Sequence, residues 1–146
     1  MEQTDRDIVR LLTRDGRMSY TDLAKATGLS TSAVHQRVRR LEQRGVITGY
    51  VAMVAPEAVG LTLTAFVSIT PLDPAAPDDV PNALSEVAEI EACHSVAGAE
   101  SYILKVRVGV PSQLEELLAR IRSLANVATR TTVVLSTPYE ARPPSV

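Results

Sequence analysis

Apolar residues in the first fifty positions recur at the spacing of short amphipathic helices. This pattern predicts one helix over Thr4–Arg14, a second that begins after Ser19 and a third that begins after Ser30. The apolar stripes of the three helices comprise Ile8, Leu11 and Leu12; Leu23 and Ala24; and Val34, Val38 and Leu41. Three helices of this size can close a small core.

The predicted helix ends carry residues suited to them. Thr4, Ser19 and Ser30 can cap helix N-termini, since a side-chain oxygen accepts a free backbone N–H there. Gly28 and Gly45 stand where the second and third helices must stop, because glycine takes the left-handed conformation at little steric cost. The short connection after Gly28 predicts a helix-turn-helix with a sharp crossing between its helices.

Alternating and β-branched stretches dominate the chain beyond residue 60. They predict strands over Leu61–Leu72, Ala92–Ala97, Tyr102–Val110 and Val127–Ser136. One predicted helix carries Leu84, Val87, Ala88 and Ile90, and the other opens at Pro111 and carries Leu114, Leu117, Leu118, Ile121 and Leu124. The order βαββαβ predicts a ferredoxin-like sandwich, in which one sheet packs two helices on one face.

The predicted elements divide the chain into two domains of an α+β protein. Residues 1–50 form a helix-turn-helix domain of winged-helix-like type, in which the apolar pair Val46 and Ile47 begins an extended segment. Residues 51–60 are predicted as a linker strand, residues 61–137 as the βαββαβ domain, and residues 138–146 as a C-terminal tail.

Charge is unevenly distributed along the chain. The net charge is −2, which by itself argues against a nucleic-acid-binding protein. Residues 1–50, however, hold nine Lys or Arg and six Asp or Glu, a balance of +3, whereas residues 51–146 hold six and eleven, a balance of −5. This asymmetry indicates a basic DNA-binding domain on an acidic body. Because +3 is modest, tight DNA binding would need more than one such domain, which implies a dimer.

The composition disfavours several classes of site. Cys93 is the single cysteine, so neither an intrachain disulfide nor a thiolate metal cluster is expected. His35 and His94 are far apart and fit surface or packed histidines better than metal ligands. Because no stretch resembles a signal peptide or a membrane span, the protein is expected in the cytosol. One Phe, four Tyr and no Trp argue against a base-stacking platform for single-stranded nucleic acid.

The third helix carries the candidate DNA-binding side chains. Ser32, His35 and Gln36 are predicted to meet base edges, since short or flat hydrogen-bonding side chains suit the N-terminal part of a recognition helix. The remaining predicted DNA-binding residues are the cap Ser30 and the phosphate contacts Thr31, Arg37, Arg39 and Arg40. The alternative is a small helical hairpin whose basic face is merely solvated.

Residues 19–50 also match a specific pattern, position by position. The matching positions are Leu23-Ala24, Gly28-Leu29-Ser30, Val34, Arg37-Val38, Leu41-Glu42, Gly45-Val46-Ile47 and Gly49-Tyr50. With the βαββαβ order that follows, and a glycine-containing turn between its second and third strands, the chain resembles the Lrp/AsnC (feast/famine) family of transcription regulators. The resemblance covers about Thr4 to Ser136, and the segments AFVSITPLDP, SVAG and SYILKVRV look most like an actinobacterial branch of the family.

The resemblance implies how such a protein works. Members bind double-stranded DNA as homodimers, and their ACT-like C-terminal domains assemble the dimers into octamers, often as a ring of four dimers. The resemblance also implies a partly structural role for Arg37, which would pair within its own domain. The effector is usually an amino acid, bound between dimers beside the turn that joins the second and third strands. The implied effector positions are Gly98, Ala99, Glu100, Ser101 and Tyr102 in this turn, and Thr132 and Val133 on the fourth strand.

One position departs from the family pattern. Many members carry an aspartate at the position of Ser101, where it is well placed to meet the amino group of the ligand. Ser101 lacks that charge, and the carboxylate of Glu100 next to it is the expected substitute. The ligand carboxylate would find backbone N–H groups in the turn, with Gly98 permitting close approach. Alternatively, the turn is an ordinary hairpin and Thr132 is a strand filler.

The sequence thus predicts a cytoplasmic, nucleoid-associated regulator that binds specific DNA and controls amino-acid-metabolism genes. Its predicted ligand is an amino-acid effector, and neither a cofactor nor enzymatic activity is expected. An architectural, chromatin-like protein with little choice of DNA sequence is one alternative. The other is a sirohaem decarboxylase, the activity of a minority of proteins with this architecture. The sequence offers no carboxylate dyad, nucleophile–base pair or phosphate loop to support catalysis.

Overall fold

The chain folds into two compact units. The structure, a computed structural model, describes residues 1–145. One unit, called here the helical unit, contains Met1–Met53 and the chain from Tyr139 onwards, and the other, called the sheet unit, is Val54–Pro138. None of the helices in residues 1–145 has the combined length and apolar character of a membrane span.

The helical unit contains the three predicted helices, α1 (Gln3–Arg14), α2 (Tyr20–Thr27) and α3 (Thr31–Gln43). Their apolar faces meet in one core formed by Ile8, Val9, Leu12, Leu23, Ala24, Val34, Val38 and Leu41. Leu11, predicted as a core residue, is only partly buried at the edge of this cluster. The helix-turn-helix prediction is therefore confirmed, with Val9 taking the central place expected of Leu11.

Two of the three predicted N-caps are present. The Ser19 hydroxyl accepts the Asp22 N–H at 3.1 Å, and the Ser30 hydroxyl accepts the Ala33 N–H at 3.2 Å. The prediction for Thr4 was wrong, because α1 begins at Gln3, with Glu2 at the cap position and no side-chain cap. Gly28 ends α2 with φ of 70°, the left-handed conformation predicted for it.

The segment between the units differs from the prediction. Residues 51–60 form no strand in the described chain, and a 3-10 helix occupies Pro56–Val59. A strand requires a backbone partner, and no described residue pairs with this segment. Val46 and Ile47, predicted to begin an extended segment, instead form a bend at the end of α3, and their N–H groups donate to the Leu41 carbonyl at 2.9 and 3.2 Å.

The sheet unit has the predicted βαββαβ order. Its strands are β1 (Leu63–Pro71), β2 (Ile90–Ser95), β3 (Tyr102–Val108) and β4 (Val127–Val133), and its helices are α4 (Val80–Ala83) and α5 (Pro111–Ala125). The strands form one antiparallel sheet in the order β2-β3-β1-β4. This confirms the ferredoxin-like fold. Each strand ends earlier than predicted, β1 begins later, at Leu63, and β2 begins earlier, at Ile90.

The two faces of the sheet differ in burial. Residues facing the helices form a core with Leu114, Leu117 and Ile121 of α5, and they include Ala65, Val67, Ile69, Tyr102, Leu104, Val106 and Val127. Of the other α5 residues predicted to be buried, Leu118 packs at the edge of this core and Leu124 is 54% exposed. Residues alternate between faces along a strand. The opposite face, called here the open face, is formed by Phe66, Ser68, Thr70, Ile103, Lys105, Arg107, Ala128, Arg130 and Thr132.

The first predicted helix of this unit is much shorter than expected. The pattern placed Leu84, Val87, Ala88 and Ile90 on it, but α4 spans only Val80–Ala83. Leu84 and Val87 are buried as predicted, whereas Ala88 is exposed and Ile90 begins β2. The N–H groups of Val87 and Ile90 each bond a carbonyl three residues back, so successive tight turns imitate helical spacing.

Candidate functional site

Helix α3 presents the predicted DNA-binding side chains on its outer surface. Thr31, Ser32, His35, Gln36, Arg39 and Arg40 are exposed, and Arg37 is half-buried. This orientation follows from the opposite stripe, because Val34, Val38 and Leu41 are buried in the core. The structure therefore gathers these predicted residues on one helix.

The N-terminus of α3 is fixed by local contacts. Besides capping the helix, the Ser30 hydroxyl lies 3.1 Å from the Ser32 hydroxyl. The His35 ring meets the Tyr20 ring edge to face, with the ring centroids 5.3 Å apart. Ser30 thus stabilises the start of α3 in addition to its predicted role in DNA binding. The ring of His35 is oriented by its contact with Tyr20 of α2.

A buried carboxylate secures the middle of α3. Asp5 of α1 is 2% exposed. Arg37 Nη1 donates to Asp5 Oδ1 at 2.8 Å and to Glu2 Oε2 at 2.7 Å. Arg40 Nη2 donates to Asp5 Oδ2 at 3.2 Å. These contacts join α1 to α3 across more than thirty residues of sequence.

The ionisation of this cluster is set by its mutual contacts. Burial raises the pKa of the Asp5 carboxyl, but the hydrogen bonds and charges of Arg37 and Arg40 outweigh burial and hold that pKa below its usual range. Hydrogen bonds from Arg37 to Asp5 and Glu2 raise the pKa of the Arg37 guanidinium. The cluster is therefore charged at neutral pH.

Sequence reasoning missed Asp5. The signal was present, because Asp5, Ile8 and Leu12 share the apolar spacing of α1, so a carboxylate stood on the face predicted to be buried. Arg37, predicted as a phosphate contact, is engaged by two carboxylates. Arg39 makes no ion pair with any described residue, and Arg40 is 47% exposed with one contact to Asp5. A surface depression of about 370 Å³ lies beside Gln36, Arg37 and Arg40.

In the sheet unit, the predicted effector turn is anchored at both ends. The Val96 N–H donates to the Ser101 carbonyl at 3.1 Å, and the Ser101 N–H donates to the Ile69 carbonyl at 2.9 Å. Gly98 does not occupy the left-handed region, and a Cβ there would meet only Glu100 Oε2 at 3.8 Å. Gly98 thus leaves open space in the turn rather than satisfying a backbone requirement.

A cavity of about 190 Å³ separates this turn from the open face. Its lining residues are Ser68, Thr70, Ala99, Glu100, Ala128, Thr129 and Arg130. The Ser68 hydroxyl donates to Glu100 Oε1 at 3.4 Å. Of the predicted effector residues, the structure thus brings Ala99 and Glu100 to one cavity, which we call the turn cavity.

The remaining predicted effector residues lie elsewhere. Thr132 and Val133 are opposite Phe66 and Ala65 in the sheet, farther along β4 than Arg130, and they do not line the turn cavity. Ser101 lines a different cavity of about 490 Å³ beside the acidic connection after β1. Tyr102 is buried, and its hydroxyl donates to Asp78 Oδ2 at 2.5 Å. That hydrogen bond, together with burial, raises the pKa of Tyr102.

Comparisons with known proteins identify both parts of the chain. Residues 1–48 match the family model for winged helix-turn-helix DNA-binding domains. Residues 64–144 match the model for the Lrp/AsnC ligand binding domain. The relatives it matches include transcription regulators of similar length.

The chain is 56% identical over 142 residues to the HTH-type transcriptional regulator LrpA of Mycobacterium tuberculosis, covering 97% of this chain and 95% of that protein. It is 39% identical over 140 residues to the leucine-responsive regulatory protein of Escherichia coli K12, covering 92% and 85%. A feast or famine regulatory protein from M. tuberculosis, solved in complex with L-methionine, is 55% identical, with a TM-score of 0.96 over 98% of this chain and 97% of that chain. The expected likeness to an actinobacterial branch is confirmed, and the chain belongs to the Lrp/AsnC family of DNA-binding transcription regulators.

Proposed function

We propose that this protein binds specific DNA through α3 and controls genes of amino-acid metabolism in response to an amino acid. The observation that carries the proposal is the outer surface of α3, where Ser32, His35 and Gln36 precede the exposed cation Arg39. Side chains at the N-terminal part of a recognition helix reach base edges, and cations near its end neutralise phosphate.

The ion pairs of the arginines on α3 indicate which of them are available to bind DNA. Arg39 and the exposed part of Arg40 serve as phosphate contacts together with Thr31, whereas Arg37 chiefly ties the helix to Asp5 and Glu2. The cap Ser30 sets where the helix begins and therefore which side chains face the DNA.

We propose a neutral, apolar L-amino acid as the effector. The support is the L-methionine complex of the 55% identical M. tuberculosis protein and the ligand-binding domain matched by residues 64–144. The turn cavity holds a carboxylate, Glu100, for the amino group of such a ligand, in place of the aspartate that Ser101 lacks. Gly98 leaves the turn accessible to the ligand. Thr132 and Val133 lie farther along β4, outside the turn cavity, and would affect the response to the effector without lining its cavity.

We also propose that the protein works as a homodimer that assembles into a homo-octamer. The open face supports self-association, because Phe66 is 41% exposed and the half-buried Ile103 lies diagonally across from it on β3. An exposed apolar patch of this kind favours burial against another chain. Two DNA-binding domains would then read half-sites separated by roughly 34–36 Å, or a multiple of that distance.

The same proposal places the protein in the cytoplasm, on the nucleoid, as a regulator without enzymatic activity. The transcription regulators that it matches support this role. Effector binding would shift the equilibrium between assemblies, by no more than the difference in the ligand's affinity for them.

Fluorescence anisotropy tests the proposal directly. The protein is titrated at fixed salt onto duplex DNA from the region upstream of its own gene and onto a scrambled duplex of the same composition, with L-methionine, L-leucine, D-methionine or no addition. We expect specific binding to exceed random binding by about 10³ or more, and one of the L-amino acids to shift it. Arg39→Ala should weaken binding to both duplexes, whereas the matched variant Arg17→Ala, in the turn before α2, should leave it unchanged. Equal affinity for both duplexes, unmoved by any amino acid, would favour the architectural alternative.

A further inference from the structure

The turn cavity carries two opposite charges that do not neutralise one another. Glu100 enters it from the turn and Arg130 from β4. Within residues 1–145, neither side chain forms an ion pair, although each lies on the wall of the same space of about 190 Å³. We propose that Arg130 binds the carboxylate of the effector while Glu100 binds its ammonium group, so that the cavity selects free α-amino acids. This assignment rests on the effector function proposed above.

The strand register places both charges around one residue. Ser68 of β1 lies directly opposite Arg130 of β4. Its hydroxyl also donates to Glu100 Oε1 at 3.4 Å. Residues paired across antiparallel strands have Cβ atoms about 4.5–5.5 Å apart. A small molecule above Ser68 therefore has residues of both charges beside it, Arg130 from β4 and Glu100 from the turn.

The other cations of the open face are already engaged. Lys105 Nζ lies 3.4 Å from Glu91 Oε2, and Arg107 Nε lies 2.6 Å from Glu91 Oε1. Neither residue lines the turn cavity. Among the residues that line the turn cavity, Arg130 is therefore the cation available to bind an anionic group.

The chemistry of the arginine side chain fits this task. A guanidinium binds a carboxylate through two parallel N–H donors, which fixes orientation as well as charge. Thr70 lies on the same wall, on the open face, and its hydroxyl can add a hydrogen bond. Ala99 and Ala128 are small and apolar, which leaves room for an uncharged side chain. This assigns the ligand carboxylate to a side chain of β4 instead of to the backbone of the turn.

Isothermal titration calorimetry of the full chain tests the assignment with three ligands. L-Methionine carries both charges, L-methioninol lacks the carboxylate, and 4-(methylthio)butanoate lacks the amino group. We expect Arg130→Gln to weaken L-methionine binding roughly tenfold or more, the range for losing a hydrogen bond to a charged group. Arg130→Lys should restore part of the affinity, because it keeps the charge and loses the paired donors. Arg17→Gln, in the helical unit, is the matched control and should bind like the wild type.

The truncated ligands separate a direct contact from a structural effect. L-Methioninol should bind weakly, and with the same affinity, to the wild type and to Arg130→Gln, whereas Glu100→Gln should leave the affinity for 4-(methylthio)butanoate unchanged. Binding of L-methionine to Arg130→Gln within twofold of the wild type would overturn the assignment, as would an equal loss for L-methionine and L-methioninol. If the wild type bound no L-amino acid at all, the proposed effector function would itself be overturned. Circular dichroism melting of each variant checks that the sheet unit is folded.

Discussion

One group of charged side chains in each unit is arranged in the opposite way to the other. In the helical unit, the buried Asp5 carboxylate is held by Arg37 and Arg40, so internal contacts occupy basic groups on the helix that we propose binds DNA. In the sheet unit, Glu100 and Arg130 face one cavity without an ion pair to any described residue. Charges that neutralise each other fix the position of an element, whereas unmatched charges in a cavity favour a ligand of complementary charge.

Asp5→Asn gives the largest expected effect on this comparison. The amide keeps the shape of the carboxylate but cannot accept from both arginines, so we expect the free energy of unfolding of the helical unit to fall by about 1.5–3 kcal/mol. Urea unfolding followed by far-UV circular dichroism measures it. Asp7→Asn is the control, because Asp7 forms an exposed pair with Arg10 on the same helix. A change for Asp5→Asn no larger than that of the control would mean that the cluster does not hold α3.

Gln36→Ala tests whether the side chains outside the cluster read DNA. We expect specific DNA binding to weaken by about 1–3 kcal/mol, with little change for random DNA, because a base-edge contact discriminates between sequences. Anisotropy titrations on both duplexes measure the difference. An equal loss on the two duplexes would move Gln36 from base recognition to a general contact.

Ser30→Ala tests the cap that sets the start of α3. Loss of the 3.2 Å bond to the Ala33 N–H should destabilise the helical unit by about 1 kcal/mol. The same urea titration measures the loss of unfolding free energy. Ser32→Ala, two residues later and inside α3, should change the unfolding free energy less. If both variants were equally stable to urea, the cap would contribute nothing beyond solvation.

Salt dependence distinguishes the arginines that bind DNA from those that hold the fold. Arg39→Ala should reduce the slope of log K against log salt by about 1, as expected for one lost phosphate contact. Arg37→Ala should reduce the slope by less, because its guanidinium is bonded to Asp5 and Glu2. Equal reductions would show that Arg37 leaves these carboxylates when DNA binds.

Acid should lower the unfolding free energy of both units, and the effect should be smaller for the partly exposed carboxylate Glu91 than for the buried Asp5. The arginines hold the pKa of Asp5 below its ordinary value of 3.8 despite burial. A depressed pKa in the folded state contributes stability above the ordinary value, and this stability is lost as the pH falls through the depressed one. The hydrogen bond from Arg107, opposed by burial, similarly holds the pKa of Glu91 below its usual range. We expect Asp5→Asn to flatten the loss of unfolding free energy below pH 3.8, and Glu91→Gln to flatten it less, because Glu91 is 38% exposed.

The features that could be predicted from the sequence are those that depend on neighbouring residues. Caps such as Ser19 and Ser30 act within three positions, and the stripe Val34, Val38 and Leu41 is set by helical geometry alone. Thr4 failed as a cap because the cap position of α1 is Glu2, two residues earlier, a shift that propensity does not resolve.

The features that could not be predicted depend on contacts between distant residues. Asp5 meets Arg37 and Arg40 only after α1 and α3 have packed. Arg130 comes to the wall of the turn cavity through its register opposite Ser68, which the alternation of β4 alone does not determine. The short α4 was mistaken for a longer helix, since turns bonded three residues apart bury Leu84 and Val87 at helical spacing.

The Asp5 cluster also defines how this protein could be redirected to another operator. Ser32, His35 and Gln36 are exposed and lie outside the ion pairs of Asp5, so a library at these positions can vary the proposed base contacts without disturbing that cluster. Variants of His35 also lose its contact with the Tyr20 ring. Arg37 and Arg40 must be retained together with Asp5. A recognition helix grafted from a relative without these two arginines would leave the buried Asp5 carboxylate without a partner. Retargeting is therefore a change of three side chains on an unchanged helix, rather than an exchange of the helix.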